Sequence, residues 1–206
     1  MTKFRRIDTQ KPDERRVLEA VEILKNDGIL VYPTDSVYTM GARINCESAL
    51  KRICKLKDIK IEKAQFSIVC SDYSHLSGFA RQISNVQFKI LKDHLPGPFT
   101  FILEANKKAS TIFKRNKKTI GFRIPDSPLI KEIIQKLKQP IFSASIPIDN
   151  NDSAYSADAE DILEEYEDRV DMVIDGGPCG EVPTTIVDLT TEPFKIIRQG
   201  SGEFLG

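Results

Sequence analysis

The fold is decided by residues 12–32, which read PDERRVLEAVEILKNDGILVY. Apolar residues recur there at helical spacing from Pro12 to Asp27, and charged residues occupy the other positions. Gly28 suits the left-handed turn that closes a helix. The apolar run Ile29–Tyr32 follows at once and stops at Pro33, which predicts a short strand buried on both faces. A helix that leads directly into a buried strand is typical of an α/β protein.

The same two patterns recur along the rest of the chain. Helices are predicted at 46–57, 85–95, 128–138 and 157–169. Strands are predicted at 66–70, 99–103, 119–123, 141–143, 172–174, 185–189 and 194–197. After Met172 only Gly/Pro-rich turns separate the strands, so antiparallel pairing is expected there. We therefore predict one α/β domain over residues 1–206, with a core at 12–200 and a twisted mixed parallel/antiparallel sheet flanked by helices.

Several classes of protein are disfavoured by the composition. The four cysteines are far apart and form no metal-ligand spacing, which argues against a zinc site or a disulfide framework. The N-terminus has no apolar core like that of a secretory signal, and no apolar run approaches the ~20 residues that span a bilayer. We therefore expect a cytoplasmic protein without a tightly bound metal.

Charge is balanced in total but not in distribution. The chain has 30 basic and 30 acidic residues. Seven basic residues and no acid lie between Lys107 and Arg123, whereas eight acids and only Arg169 lie between Asp158 and Asp171. The stretch Lys107–Lys118 is interpreted either as a solvated loop or as a surface that contacts a nucleic-acid backbone.

Three hydroxyl-rich segments are candidates for a ligand site. The first, 32–41, follows the buried strand and contains Thr34, and the others are Ser143-Ala-Ser145 and Pro183-Thr-Thr185. Hydroxyls and open backbone N–H groups suit a phosphate, and open α/β sheets bind ligands at strand ends. The alternative is that these side chains only cap turns.

Two arginines at predicted strand ends, Arg123 and Arg198, are candidates to meet that phosphate. An arginine on an apolar strand needs an anion, either from a ligand or from the protein in a structural salt bridge. The loop Gly176–Gly180 lacks the spacing of a phosphate-binding loop, which favours a plain turn.

Six segments, in this order, resemble the YrdC/YciO family. They are Tyr32–Tyr38 with Gly41, Pro96–Thr100, Ile120–Pro125, Ser143–Ser145, Pro183–Asp188 and Ile197–Gly200. The resemblance implies a YrdC/RibB-like sheet with a large, positively charged concave cavity. It also implies synthesis of threonylcarbamoyl-AMP and diphosphate from threonine, bicarbonate and ATP with Mg²⁺, for transfer to an adenosine of tRNA.

The resemblance also implies roles for individual residues. Thr34 and Tyr38 would line a threonine pocket, Lys57 would face the phosphates or the carbamoyl group, and Lys57 and Thr34 would be the catalytic pair. The nucleotide would be held by Ser143, Ser145, Thr184, Thr185 and Arg198.

Two departures from the synthase pattern favour the YciO branch. Ile59 stands in Lys57-Asp58-Ile59 where synthases carry arginine, with Lys60 as a possible substitute, and Ile146-Pro147 replaces Ala-Asn. Two hypotheses therefore stand: an ATP-using threonylcarbamoyl-adenylate synthase or close variant, and a nucleotide- or double-stranded-RNA-binding protein without synthase chemistry.

Overall fold

The computed structural model of the chain describes residues 1–61, 63–112, 118–146 and 155–204. The strands are β1 (Lys3–Arg6), β2 (Leu30–Tyr32), β3 (Thr39–Arg43), β4 (Ser67–Val69), β5 (Phe99–Glu104), β6 (Thr119–Arg123), β7 (Ile141–Ser145), β8 (Met172–Asp175), β9 (Thr185–Asp188) and β10 (Lys195–Arg198). The helices are α1 (Glu14–Lys25), α2 (Glu47–Leu56), α3 (Tyr73–Ser77), α4 (Asn85–His94), α5 (Lys107–Ile112), α6 (Pro128–Leu137) and α7 (Ala159–Tyr166).

The strands form one mixed sheet, as the sequence predicts. Its order is β1-β8-β2-β3-β7-β4-β6-β5-β9-β10. Pairs β1/β8, β2/β8, β4/β6 and β5/β9 are parallel, and the remaining neighbours are antiparallel. The antiparallel pairing expected after Met172 holds for β9 and β10 only. It is wrong for β8 and β9, because β8 inserts between β1 and β2 while β9 pairs with β5 at the far side of the sheet.

Each face of the sheet buries its own apolar core. Leu30 and Tyr32 point to one face and Val31 to the other, and all three are fully buried, so the prediction of a strand buried on both faces is confirmed. Helices α1 and α6 cover the first face near β8 and β2. Helices α2, α3, α4 and α7 contribute to the core of the second face.

At the end of α1 the left-handed residue is not the one that was predicted. Asp27, with a φ of 62°, makes the reversal, and Gly28 does not have a positive φ. A Cβ on Gly28 would lie 2.6 Å from Ile23 Cγ2 and 2.8 Å from the Ile23 carbonyl oxygen. Glycine is therefore required there by the close approach of the strand to the helix. Leu18, one of the apolar residues at helical spacing between Pro12 and Asp27, is 45% exposed and therefore lies outside the buried face of α1.

No helix in the described ranges is long and apolar enough to cross a membrane. The basic stretch Lys107–Lys118 begins as α5, and its residues 113–117 lie outside the described ranges.

Candidate functional site

A cavity of about 560 Å³ lies over six consecutive strands of the sheet, β7-β4-β6-β5-β9-β10. Its floor is the sheet face opposite the core that contains Phe101, Phe122 and Val187. Ser67 and Ser143 lie on this face, two residues from Val69 and Ile141, which pack in the core under α1 and α6. The cavity is therefore the part of this sheet face that those helices leave uncovered.

The lining is strongly basic. Five cationic side chains contribute to it: Lys57, Lys63, Lys118, Arg123 and Arg198. Among the described residues no aspartate or glutamate lines it. Such a cavity attracts anions and disfavours cations.

Arg123 is held by an internal ion pair. Its Nη2 donates to Asp35 Oδ1 at 2.8 Å and to Ser36 Oγ at 3.2 Å, and Asp35 Oδ2 accepts from the backbone N–H of Asp126 at 2.9 Å. The side chains of Arg123 and Asp35 are only 7% and 10% exposed. The salt-bridge alternative for Arg123 is therefore correct, although its buried Nε has no hydrogen-bond partner in the part of the chain described.

Arg198 differs, because no ion pair within the described ranges involves it. Its Nε and Nη2 donate to the Thr184 carbonyl oxygen at 3.2 and 2.9 Å, and Thr184 Oγ1 lies 2.9 Å from Thr100 Oγ1. A register shift between Ile196 and Arg198 marks a bulge at the end of β10. Arg198 thus reaches the cavity with its orientation fixed by a neutral carbonyl.

Lys57 joins the end of α2 to the cavity wall. It is the C-cap residue of the helix, and its Nζ donates to the Ser145 carbonyl oxygen at 2.8 Å. Ser143 and Ser145 both line the cavity from β7, not from a loop after the strand as predicted, because β7 extends to Ser145. Residues two apart on a strand face the same side.

Three of the predicted site residues are not among those that line the cavity. Thr34 donates from Oγ1 to the Val37 carbonyl at 2.8 Å, Tyr38 is fully buried, and Thr185 is fully buried with its Oγ1 accepting from the Gly200 N–H at 2.9 Å. The Tyr38 hydroxyl donates to the Gly177 carbonyl at 2.9 Å, and burial raises the pKa of this phenol.

The loop that contains Thr34 still contributes to the site through its neighbours. Ser36 and Val37 line the cavity, and Ser36 Oγ lies 3.1 Å from Thr34 Oγ1. The predicted loop therefore lies at the cavity, but the sequence pattern gave no signal to choose among its hydroxyls.

The cavity lining also includes residues to which the sequence assigned no ligand contact. Ile59 lines the wall, and so does Lys63, whereas Lys60 does not. Ser67 and Tyr155 also contribute. Pro147 lies outside the described ranges.

In the described ranges no group of three or more His, Cys, Asp or Glu residues is arranged to hold a metal ion.

Comparison with known proteins identifies the family. The model of the Sua5, YciO and YrdC proteins, described as telomere recombination, matches residues 22–200. The chain belongs to the Sua5/YciO/YrdC family. The predicted resemblance is thereby confirmed.

Relatives within this family include uncharacterized proteins and a protein named as a synthase. An uncharacterized protein of Haemophilus influenzae is 39% identical over 203 residues, covering 98% of this chain and 97% of that protein. YciO of Escherichia coli is 35% identical over 204 residues, covering 98% of both chains. A threonylcarbamoyl-AMP synthase of Psychromonas ingrahamii is 27% identical over 176 residues, covering 84% of this chain and 92% of the synthase.

Solved structures of family members confirm the fold. The crystal structure of E. coli YciO superimposes with a TM-score of 0.90 at 34% identity, covering 98% of both chains. P. abyssi Sua5, solved with L-threonine, gives a TM-score of 0.87 at 24% identity, covering 97% of this chain and 58% of Sua5. The mixed sheet with flanking helices is therefore shared with both.

Proposed function

We propose that this protein is an ATP-using L-threonylcarbamoyladenylate synthase, or a close enzymatic variant, that acts in tRNA threonylcarbamoyladenosine formation in the cytoplasm. The observation that carries the proposal is the cavity with five cationic side chains and, among the described residues, no carboxylate in its lining. A nucleoside triphosphate is a ligand of matching charge, and cavities of this volume hold ligands of about that size. The relative named threonylcarbamoyl-AMP synthase supports the choice of reaction.

The proposed contacts to ATP come from opposite sides of the cavity. Lys57, Ser143 and Ser145 would meet the nucleotide at β7, and Thr184 and Arg198 at β9 and β10. Adenylate formation releases diphosphate, so cations fixed in place before the reaction stabilise the charge that develops on the phosphates. Because Lys57 and Arg198 are each anchored by a carbonyl, little reorganisation is needed when ATP binds.

The residues behind the lining would act by positioning. Thr34 and Tyr38 fix the loop that presents Ser36 and Val37, where we place the threonine side of the site. Thr185 fixes the chain around Gly200, next to Arg198.

The test is an assay of diphosphate release. Purified protein with Mg-ATP, bicarbonate and threonine is expected to release diphosphate, and the release should stop when threonine is omitted. Diphosphate release that is the same with and without threonine, or no diphosphate release at all, contradicts the synthase proposal.

One observation favours a second candidate function. Ile59 lines the cavity at the position where the synthase pattern has arginine, and the guanidinium groups that also line it, Arg123 and Arg198, come from other segments. A nucleotide- or double-stranded-RNA-binding protein without synthase chemistry would need no arginine there. This second hypothesis predicts that the protein binds structured RNA and forms no adenylate. The binding should weaken as the salt concentration rises, because contacts to phosphates are screened by salt.

A further inference from the structure

Gly121 occupies the middle of the cavity floor. It lies within β6, directly opposite Ser67 of β4 on one side and Ile102 of β5 on the other. Its φ is not positive, so the backbone does not require glycine. Glycine inside a strand weakens the sheet and often marks a place where a ligand approaches closely.

The missing side chain leaves a narrow slot between the Ser67 hydroxyl and the Thr100 methyl group. A Cβ built on Gly121 would lie 3.0 Å from Ser67 Oγ and 3.0 Å from Thr100 Cγ2, and both residues line the cavity. Ser143 is directly opposite Ser67 on the next strand. Gly121, Ser67 and Ser143 thus form a row of small residues with a spacing of about 4.8 Å between strands.

Two buried polar atoms independently indicate a ligand at this cavity. Tyr155 is 4% exposed and Arg123 is 6% exposed, and both line the cavity. The Tyr155 hydroxyl and Arg123 Nε have no hydrogen-bond partner within the residues described. A buried donor without a partner is costly, so both groups are suited to an acceptor that a ligand supplies.

We propose that Gly121 is a specificity-determining residue, which keeps open a slot on the cavity floor for a phosphate group. The Ser67 hydroxyl and the Thr100 methyl group flank this slot. The Ser143 hydroxyl lies one strand beyond Ser67, and the Tyr155 hydroxyl supplies a further donor from the cavity lining. Hydroxyl donors and basic surroundings match an oxyanion. The inference deepens the proposed function, since the occupant would be a phosphate of the nucleotide.

Calorimetric titration with diphosphate tests the slot without requiring catalysis. The wild type is expected to bind diphosphate saturably. Gly121→Ala should weaken binding at least about 10-fold and Gly121→Val about 100-fold or more, because the side chain occupies the site of the oxyanion. Tyr155→Phe should weaken binding about 10-fold, the usual effect of removing one hydrogen bond to a charged group. Gly78→Ala, at the end of α3 and outside the lining, is the control and should leave affinity unchanged.

Thermal unfolding of each variant separates loss of the slot from loss of the fold. If Gly121→Val fails to fold, Gly121→Ala decides the question. Unchanged diphosphate affinity in a folded Gly121 variant overturns the inference, as does a wild type that binds no diphosphate. A wild type that binds diphosphate in the slot but releases none from ATP contradicts the synthase proposal alone.

Discussion

The buried pair between Arg123 and Asp35 gives a sharp prediction for Asp35→Asn. The substitution keeps the shape of the side chain and can keep the acceptor for the Asp126 N–H, but it removes the charge that faces Arg123. Both side chains are at most 10% exposed, so water cannot replace the lost carboxylate. Breaking a buried pair from one side costs about 3–5 kcal/mol. For a chain of this length, this corresponds to a fall in Tm of about 6–20 °C.

Differential scanning calorimetry at neutral pH measures this change, and an exposed pair supplies the control. Glu14 pairs with Lys136 at 2.7 Å, but its side chain is 72% exposed. Glu14→Gln should therefore cost at most about 1 kcal/mol, or about 4 °C. A Tm for Asp35→Asn no lower than that of Glu14→Gln would refute the reasoning.

The double variant Asp35→Asn/Arg123→Met isolates the cause. If the damage comes from an uncompensated guanidinium, removing that guanidinium should restore part of the lost stability. If the loss of stability in the double variant equals the sum of the losses in the two single variants, the two side chains stabilise the protein independently.

Three further predictions concern other contacts. Hydrogen bonds from Arg5 and Lys3 lower the pKa of Glu19 from 4.5 to about 2, so these ion pairs stabilise the fold above pH 4.5 and stop doing so as pH falls toward 2. Urea unfolding should show Glu19→Gln to be less stable than wild type at pH 6, with the difference gone near pH 2. A difference in stability that does not depend on pH would contradict this prediction. Thr185→Val removes the hydroxyl that binds the Gly200 N–H and should cost about 1–3 kcal/mol in urea unfolding; an unchanged midpoint would show that this contact is not stabilising. Lys57→Met should abolish threonine-dependent diphosphate release. Lys51→Met, on the exposed side of α2, is the control and should retain this activity. Equal activity of the two variants would exclude a catalytic role for Lys57.

The fold was largely predictable because most elements carry their own pattern. Helix α6, for example, begins at Pro128 after the cap Ser127, as predicted, with the Ile130 N–H donating to Ser127 Oγ. Strand β1 was missed because three of its four residues are basic, and it becomes a strand only through pairing with β8. Strand β3 was missed because its Gly41 and the preceding polar loop indicate a turn.

The site was predictable by segment but not by side chain. Thr184, just before β9, lines the cavity, whereas Thr185, the first residue of that strand, is fully buried and does not. Ser143 and Ser145, two residues apart, both do. Lys63 had no detectable role in the sequence, and Lys118 was considered only as part of the basic stretch Lys107–Lys118, because only the folded chain brings both to the cavity.

The central claim is that this basic cavity binds the phosphates of ATP and that Arg198 contributes to that binding. The most direct measurement is the calorimetric affinity of Mg-ATP for wild type, Arg198→Gln and Arg81→Gln, where Arg81 is an exposed arginine paired with Glu104 outside the cavity. We expect saturable binding by wild type, a loss of about 10- to 100-fold for Arg198→Gln, and no change for Arg81→Gln. Equal affinities for the two variants, or a wild type that does not bind ATP, would contradict the claim.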